Sequence, residues 1–293
     1  MKKLFALLLS LIMMMSLCAC GSETSAETDS DYDYITGNGY LVIGITEYQP
    51  MNYYDENGVL TGFDTEFAQE VCSRLGVEAQ FQIIDWDMKE SELMSRNIDC
   101  IWNGLTVTEE RRENMDFTTS YLTNRQCVVI NSANADTYTD AASLASAMIS
   151  AESGSAGETA VLADASLSTA NYTPSSSQAD ALLALKAGNY DAIVIDYTMA
   201  TASVGNGDYA DMMILEDIAL ANEEYAIGFR LGSDMTARVN EIIEEMIADG
   251  TLAALAEKYD MNVQGPNCLG SLDVHTPLNA SFAQIMPEPG NIA

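Results

Sequence analysis

Patterns typical of buried strands alternate with patterns typical of amphipathic helices along most of the chain. The segment "YLVIGI", residues 40–45, is a nearly continuous apolar run with β-branched residues, which predicts a buried strand. Apolar residues at helical spacing follow in residues 63–75, with Asp64 as the predicted N-cap and Gly76 as the predicted end. A second unit of this kind begins near Gln126. This order predicts an α/β fold with two βαβ lobes and mixed, mainly parallel sheets.

The last part of the pattern contains one predicted strand and one long amphipathic segment. The strand is "EEYAIGFR", residues 223–230, and the amphipathic segment covers residues 233–261. One apolar stripe of that segment is predicted to face the core; it consists of Val239, Ile242, Ile243, Met246 and Ile247. Residues 262–293 are rich in Pro and Gly and weakly patterned, which predicts a surface tail.

The N-terminal segment resembles the signal of a bacterial lipoprotein. Two lysines precede an apolar run, residues 4–16, that is shorter than the roughly 20 residues a membrane span needs. The "LCAC" that follows resembles a lipobox, which implies removal of residues 1–19 and attachment of lipid to Cys20. Cys20 fits better than Cys18, because a small alanine precedes it. The alternative is an ordinary secretory signal with a chance cysteine.

A lipid-anchored chain would be held stably at the membrane, since two acyl chains suffice where one is marginal. Residues 20–38 are rich in Ser, Thr and acidic residues and lack apolar periodicity. This composition predicts a flexible acidic tether between the anchor and the folded part.

Four further cysteines occur in the folded part and the tail: Cys72, Cys100, Cys127 and Cys268. They show no CxxC or metal-ligand spacing, and the first three fall on predicted apolar faces. We expect them to be small buried hydrophobic residues. A disulfide in an exported chain stays open as an alternative, since sequence does not say which cysteines would pair.

The charge of the chain limits the classes of partner. Lys and Arg number 12 against 44 Asp and Glu, which gives a formal net charge of −32. Such a field repels phosphate backbones and anionic lipid, so nucleic-acid binding is not expected. The single histidine, His275, argues against a histidine cluster for catalysis or metal binding. We therefore predict a monomer with no cofactor and no metal site.

Five stretches, in order, resemble the extracytoplasmic amino-acid-binding proteins of ABC importers, of the bilobal type II kind. They cover residues 39–260 and include G-F-D after a turn, G-x-T-x-T-x-x-R and D-A-x-x-x-D. Each motif alone is weak evidence, but their combination in this order is specific. The stretches are "YLVIGITEYQPMNYYDENGVLTGFDTEFAQEV", "NIDCIWNGLTVTEERRENMDFTTSYL", "SGSAGETAV", "LKAGNYDAIVID" and "EEYAIGFR".

The resemblance implies two α/β lobes joined by a two-strand hinge, with the ligand in the cleft between them. Lobe 1 would consist of residues 39–124 and 224–261, and lobe 2 of residues 125–223. The stretch "FTTSY", residues 117–121, departs from the family's usual F-S-x-P-Y. Loss of this proline leaves the approach to the hinge less rigid, without abolishing binding.

The resemblance assigns Arg111 to the carboxylate of the ligand, with the hydroxyl and amide of Thr106 beside it. A planar guanidinium suits this role, because it pairs with both carboxylate oxygens at once. The alternative is a surface ion pair between Arg111 and Glu109 or Glu110, which would contribute little. The neighbouring Arg112 is expected to face solvent.

In lobe 2 the resemblance assigns Ser155 and the amide of Ala156 to the same carboxylate, at the start of a helix, where anions are favoured. The alternative for this Gly/Ser stretch is a flexible loop. Asp196 would accept the ligand's ammonium group, together with the main-chain carbonyls of Asn103 and Gly104. Asp191 is expected to be structural.

The side-chain pocket rests on fewer signals. Tyr48 matches an aromatic residue that covers the ligand, and Trp86 matches a wall position; both could instead be core aromatics. Glu47, Asp85 and Glu152 lie near pocket positions. If two of these three carboxylates point inward, a cationic ligand side chain is favoured electrostatically.

The sequence thus predicts an extracytoplasmic, lipid-anchored protein that binds a polar L-amino acid by lobe closure and delivers it to an ABC permease with its ATPase subunits. Among polar amino acids, a ligand with a cationic side chain is favoured. One alternative is an enzyme on the same fold, such as a cyclohexadienyl or prephenate dehydratase-like protein, which would need an acidic residue as acid/base. A sensory domain is the other alternative, although no signalling region is visible in the chain.

Overall fold

The computed structural model describes residues 30–218 and 220–261, which form two mixed β-sheets covered by helices. The predicted signal peptide, Cys20 and the predicted tail of residues 262–293 lie outside the described residues. Within the described part, every helix is too short or too polar to cross a membrane.

The first sheet has five strands in the order β4–β1–β5–β13–β6. Its parallel pairs join β1 to β4 and to β5, while β13 pairs antiparallel with β5 and β6. A short antiparallel ribbon of β2 (Tyr53–Tyr54) and β3 (Leu60–Thr61) leads into the following helix. The five strands are β1 (Tyr40–Ile45), β4 (Glu78–Ile83), β5 (Cys100–Ile101), β6 (Met115–Phe117) and β13 (Gly228–Arg230).

Six helices belong to the chain segments of this first sheet. They are α1 (Asp31–Asn38), α2 (Phe63–Leu75), α3 (Lys89–Met94), α4 (Glu109–Arg112), α8 (Met235–Ala248) and α9 (Thr251–Lys258). The apolar stripe predicted in residues 233–261 is buried in α8 except for Ile247, which is half-buried. It packs with α2 and α9 over the sheet.

The second sheet has the order β11–β7–β10–β8–β9, with β12 paired to one end of β7. Strands β8, β9 and β10 are parallel, and β7 is antiparallel to β10, β11 and β12. Helices α5 (Ala156–Ala163), α6 (Gln178–Lys186) and α7 (Tyr197–Ser203) connect them. The strands are β7 (Leu122–Asn131), β8 (Met148–Glu152), β9 (Asn171–Ser175), β10 (Ala192–Asp196), β11 (Met212–Ile214) and β12 (Asn222–Tyr225).

Strands β7 and β12 run side by side from one sheet to the other, with Leu122 opposite Tyr225 and Arg125 opposite Asn222. The single strand predicted for residues 223–230 is wrong, because the chain breaks into β12 and β13. The Ala226 amide at the break donates to the Leu105 carbonyl oxygen at 3.1 Å. The break lets β12 pair with β7 while β13 enters the first sheet.

The start of α2 differs from the prediction that Asp64 caps it. Gly62 is the N-cap, at φ 122°, and a Cβ there would lie 2.2 Å from the Met51 carbonyl oxygen, so only glycine fits this approach. Asp64 is fully buried instead, and its carboxylate accepts the amide of Gly104 at 2.7 Å and the hydroxyl of Tyr121 at 2.9 Å.

Residues 31–38 form helix α1, so the prediction of a tether over all of residues 20–38 is wrong for this part. Ser30 caps the helix, and Ile35 is buried in the core. The physical reason that these residues are ordered is an ion pair with the first sheet. The buried carboxylate of Asp31 lies 3.0 Å from the guanidinium of Arg230 in β13. Acidic composition alone did not reveal this long-range ion pair.

Cys72, Cys100 and Cys127 are buried free thiols, as expected for small hydrophobic residues. Cys268 lies outside the described residues.

The ion pairs of Arg230 test how α1 is held. Arg230 also lies 3.1 Å from Asp99, and both carboxylates are buried. Replacing Arg230 with Met leaves buried Asp99 without an ion pair and leaves Asp31 with only its 3.4 Å contact to the more exposed Arg96, so we expect a loss of about 3 kcal/mol or more in the free energy of unfolding. Arg238→Met is the control, since Arg238 forms only an exposed pair with Glu241, and it should change stability by less than about 0.5 kcal/mol. Urea unfolding of both variants measures the difference; equal midpoints would contradict the role given to Arg230.

Candidate functional site

A small cavity lies where the two sheets meet. It brings together all nine residues that the sequence predicted for ligand binding, and it adds Glu152 and Gln178. The nine are Tyr48, Trp86, Asn103, Gly104, Thr106, Arg111, Ser155, Ala156 and Asp196.

The topology explains why residues so far apart in sequence line one cavity. Asn103 and Gly104 lie just beyond the carboxyl end of β5, which is parallel to β1. Glu152 ends β8, and Asp196 ends the parallel β10. In open α/β sheets, ligands bind in the crevice outside the carboxyl ends of parallel strands, and here two such edges face each other.

Arg111 enters the cavity from the four-residue helix α4, which Thr108 caps by accepting the Arg111 amide at 3.1 Å. Its guanidinium donates to the carbonyl oxygen of Thr106 at 2.7 Å and to that of Gly154 at 3.1 Å. Only two of its five N–H donors are used by these contacts. The first contact fixes the guanidinium within its own segment, and the second reaches the other sheet.

The charge of Arg111 has no direct partner in the described chain. The residue is 7 % exposed, and no described carboxylate lies within 4.0 Å of it. Burial lowers the pKa of Arg111. The alternative of a surface ion pair is therefore wrong, and the pair with Glu109, at 3.8 Å, belongs to the half-exposed Arg112. A buried guanidinium in this state is costly unless an anion joins it.

Asp196 is the opposite charge in the cavity. Its Oδ1 accepts amide hydrogens from Asn124 and Gln126, each at 2.7 Å, and Oδ2 accepts one from Gln178. The Asp196 amide in turn donates to Gln178 Oε1 at 2.9 Å. Burial raises the pKa of Asp196. No described Lys or Arg lies within 4.0 Å of this carboxylate, so its ionised form is stabilised by neutral groups and not by an ion pair.

The side chain of Asn103 is not free to bind a ligand. Its Oδ1 accepts from the amide and hydroxyl of Thr46, and its Nδ2 donates to Thr46 O and to Asn52 Oδ1. Gly104 has φ 58°, and a Cβ there would lie 2.7 Å from the Tyr48 ring. Both residues therefore present main-chain groups to the cavity. The Asp64 carboxylate holds the Gly104 amide, and the side-chain hydrogen bonds of Asn103 hold its own main chain in place.

Tyr48 and Trp86 form part of the wall, and both also pack in the core. The hydroxyl of Tyr48 lies 2.7 Å from that of Tyr225. Trp86 packs in an apolar cluster with Ile84 and Leu93. The two alternatives posed for Trp86 are thus compatible, since one face packs while the residue still lines the cavity.

Helix α5 begins at the cavity with an ordered cap, not a flexible loop. The Oγ of Ser155 accepts the Glu158 amide at 3.1 Å, and the Gly154 amide donates to the Glu158 carboxylate at 2.8 Å. This reciprocal capping fixes the first turn, whose amide groups and dipole favour an anion.

Of the three acids considered for the pocket, only Glu152 lines the cavity; Glu47 and Asp85 are exposed. Burial and Asp196 raise the pKa of Glu152 to about 8. Nearby, Lys89 is also buried, and burial together with Arg111 lowers its pKa to about 8. The sequence argument for a cationic ligand required two of these three carboxylates to point into the cavity, and only one of them does.

Sequence reasoning missed Gln178, Lys89 and Tyr225. Gln178 is the first residue of helix α6, and it donates to the carboxylate of Asp196 at the end of strand β10. Lys89 begins α3 and donates across the cavity edge to Gly154 at 2.9 Å. No local motif marks these residues, because each acts through a contact with a distant segment.

Comparison with known proteins agrees with this geometry. Residues 41–262 match the family model described as bacterial extracellular solute-binding proteins, family 3. The L-cystine-binding protein TcyJ of Escherichia coli strain K12 is 30% identical over 226 residues, which cover 75% of this chain and 82% of TcyJ.

Solved structures share the fold. A variant of ArgBP from T. maritima superposes with a TM-score of 0.72 at 29% identity, covering 78% of this chain and 98% of ArgBP. The ancestral amino acid-binding protein AncCDT-1, described as a precursor of cyclohexadienyl dehydratase, gives 0.71 at 28% identity, covering 78% of this chain and 99% of that one. These likenesses confirm the type II bilobal α/β fold.

The family match covers the two sheets, the cavity and the strands between them. It confirms the expectation of a binding protein and not an enzyme, in a family of extracellular proteins. The chain belongs to the bacterial extracellular solute-binding proteins, family 3.

Proposed function

We propose that the cavity captures a polar L-amino acid, with Arg111 binding its carboxylate and Asp196 its ammonium. The observation that carries this is a pair of buried opposite charges, each without an oppositely charged partner in the described chain. A free α-amino acid carries the two complementary charges on adjacent atoms. Its binding offsets two desolvation costs at once.

The other lining residues complete the proposed site. Thr106 and the capped start of α5 at Ser155 and Ala156 would add donors to the carboxylate. The main-chain carbonyls of Asn103 and Gly104 would accept from the ammonium. Tyr48 and Trp86 would enclose the ligand's side chain.

Lobe closure is part of the proposal. Lobe 1 would comprise residues 39–124 and 224–261 and lobe 2 residues 125–223, with β7 and β12 as the hinge. Arg111 and Lys89 both donate to the Gly154 carbonyl oxygen, so these contacts can form only when the two sheets approach each other. A ligand that touches both lobes selects this closed form. The closed protein would then deliver its ligand to an ABC permease with ATPase subunits.

The relatives support an amino acid as ligand, because TcyJ is named for L-cystine and a truncated form of ArgBP has been solved with arginine bound. The enzyme alternative is not favoured, since AncCDT-1 is itself described as an amino acid-binding protein.

The first prediction concerns the carboxylate site. We expect the domain from Ser30 onward to bind at least one common L-amino acid, seen as a raised melting temperature and then measured by calorimetry. Arg111→Met should weaken binding of that ligand by about 30-fold or more, because truncating one partner of a buried charge pair costs about 2–5 kcal/mol. Asp196→Asn should weaken it in the same way by removing the charge that faces the ammonium.

Arg112→Met is the matched control, because this neighbouring arginine is half-exposed and should leave affinity unchanged. Unchanged binding by folded Arg111→Met and Asp196→Asn variants would refute the site. Failure of every amino acid to bind, with turnover of prephenate, would support the enzyme alternative instead.

We also propose that lipid on Cys20 holds the protein at the outer face of the cell membrane. In a bacterial host fed an alkyne-labelled fatty acid, the full chain should incorporate label and sediment with membranes. Cys20→Ala should lose both properties, whereas Cys18→Ala should keep them. Release of the wild-type protein into the medium without label would favour an ordinary secretory signal.

A further inference from the structure

Glu152 is a buried carboxylate with no assigned task in the binding of an α-amino acid. It lies at the end of β8, is 2 % exposed and lines the cavity. Its Oε1 is fully buried and has no hydrogen-bond partner among the described residues. Buried carboxylate oxygens are normally hydrogen-bonded, because leaving one unsatisfied costs its full desolvation. An unsatisfied acceptor at the wall of a ligand cavity therefore points to a donor on the ligand.

The charged groups around Glu152 do not supply this donor. Lys89 directs its ammonium to the carbonyl oxygens of Trp86 and Gly154, at 3.2 and 2.9 Å, and forms no ion pair within 4.0 Å with a described carboxylate. Arg111 donates to main-chain oxygens, as described above. Asp196, on the adjacent strand β10, is an acceptor like Glu152 and repels it.

The sum of charges at the cavity also leaves a place for a cation. In their fully ionised forms Asp196, Glu152 and Glu223 would contribute three negative charges against two positive charges from Arg111 and Lys89, but burial raises the pKa of each carboxyl, so part of this charge is protonated in the ligand-free cavity. Glu223 belongs to this set because Asn124 and Gln126 bridge it to Asp196, at 2.8 and 2.5 Å from Glu223 Oε1. A ligand of net charge +1 balances the fully ionised set, whereas with a zwitterionic ligand one of the three carboxyls stays protonated or unbalanced.

We propose that Glu152 determines specificity by accepting a positively charged nitrogen at the far end of the ligand's side chain. The inference rests on the proposed function, in which Arg111 and Asp196 hold the α-carboxylate and α-ammonium. The ligand class is an amino acid whose side chain ends in a guanidinium, ammonium or imidazolium group without an accompanying carboxylate.

The first test separates the two ends of the ligand. L-Arginine and L-citrulline have nearly the same shape, but citrulline has a neutral urea in place of the guanidinium; L-lysine and L-norleucine form a second such pair. Wild-type protein should bind the cationic member at least about tenfold more tightly, the usual worth of one charged hydrogen bond. In Glu152→Gln the preference should fall to within about threefold, while affinity for the neutral member is retained.

Glu47→Gln is the control, because it removes the same charge from an exposed position outside the cavity. It should alter affinity by less than about twofold, since exposed charges are screened. Melting curves of ligand-free Glu152→Gln verify that it folds.

A second readout does not depend on a variant. Because burial and Asp196 raise the pKa of Glu152 to about 8, the ligand-free carboxyl is mostly protonated at pH 7. A cation favours the ionised form, so its binding expels the proton, and affinity should rise with pH up to about 8, by at most about tenfold per unit, and then level off. Calorimetry at pH 7 in phosphate and in Tris should show release of close to one proton with arginine or lysine, and close to none with citrulline. Glu152→Gln should abolish the release, which distinguishes Glu152 from Asp196, Glu223 and Lys89.

Three outcomes would overturn the inference. Tightest binding of a neutral or acidic amino acid, or of cystine, would leave the proposed function intact but remove the role of Glu152. Equal weakening of arginine and citrulline in Glu152→Gln would mean that Glu152 holds the α-ammonium instead. Proton release that persists unchanged in Glu152→Gln would assign it to another group. Absence of binding by every amino acid would instead refute the proposed function itself.

Discussion

Two charges of opposite sign, on Arg111 and Asp196, are buried at the junction of two sheets without an ion-pair partner in the described chain. Taking a charge out of water is costly unless hydrogen bonds or an opposite charge compensate it. Much of the surrounding structure provides partial compensation. Carbonyl oxygens from two segments accept from Arg111, and three side-chain amides donate to Asp196. A zwitterionic ligand would supply the opposite charge that each of these two groups still lacks.

Buried residues behind the cavity wall hold its main-chain groups in place. Both polar atoms of the Asn103 side chain are hydrogen-bonded, to Thr46 and to Asn52. The buried Asp64 carboxylate accepts the Gly104 amide hydrogen. Burial raises the pKa of Asp64 to about 7, so this support also has a charge cost. These hydrogen bonds hold the main-chain groups that face the cavity in fixed positions. A site of this kind discriminates by geometry, because its groups do not have to reorganise when a ligand arrives.

The two halves share an apolar cluster and also make polar contacts at the edge of the cavity. Arg111 and Lys89 meet at one carbonyl oxygen, that of Gly154, and β7 and β12 provide the continuous connection. These contacts place two cations beside the capped start of α5 and near Glu152. In a chain with a net charge of −32, these are two of only 12 basic residues. Their burial concentrates positive charge at one point of an otherwise acidic molecule, where an anionic group would be attracted.

The sequence by itself determined the order of strands and helices and the residues that stand at strand ends. Local hydrophobic periodicity predicted the β1 and α2 segments, and the motifs that carry the family resemblance indicated nine of the eleven residues that line the cavity. Tertiary structure alone decided the features that depend on partners distant in sequence. Helix α1 replaced part of the predicted tether because Asp31 meets Arg230, and residues 223–230 split because their halves join different sheets. It also buried Arg111 and turned Glu152, but neither Glu47 nor Asp85, towards the cavity. Burial and charge environment are properties of the assembled fold, which local sequence patterns do not specify.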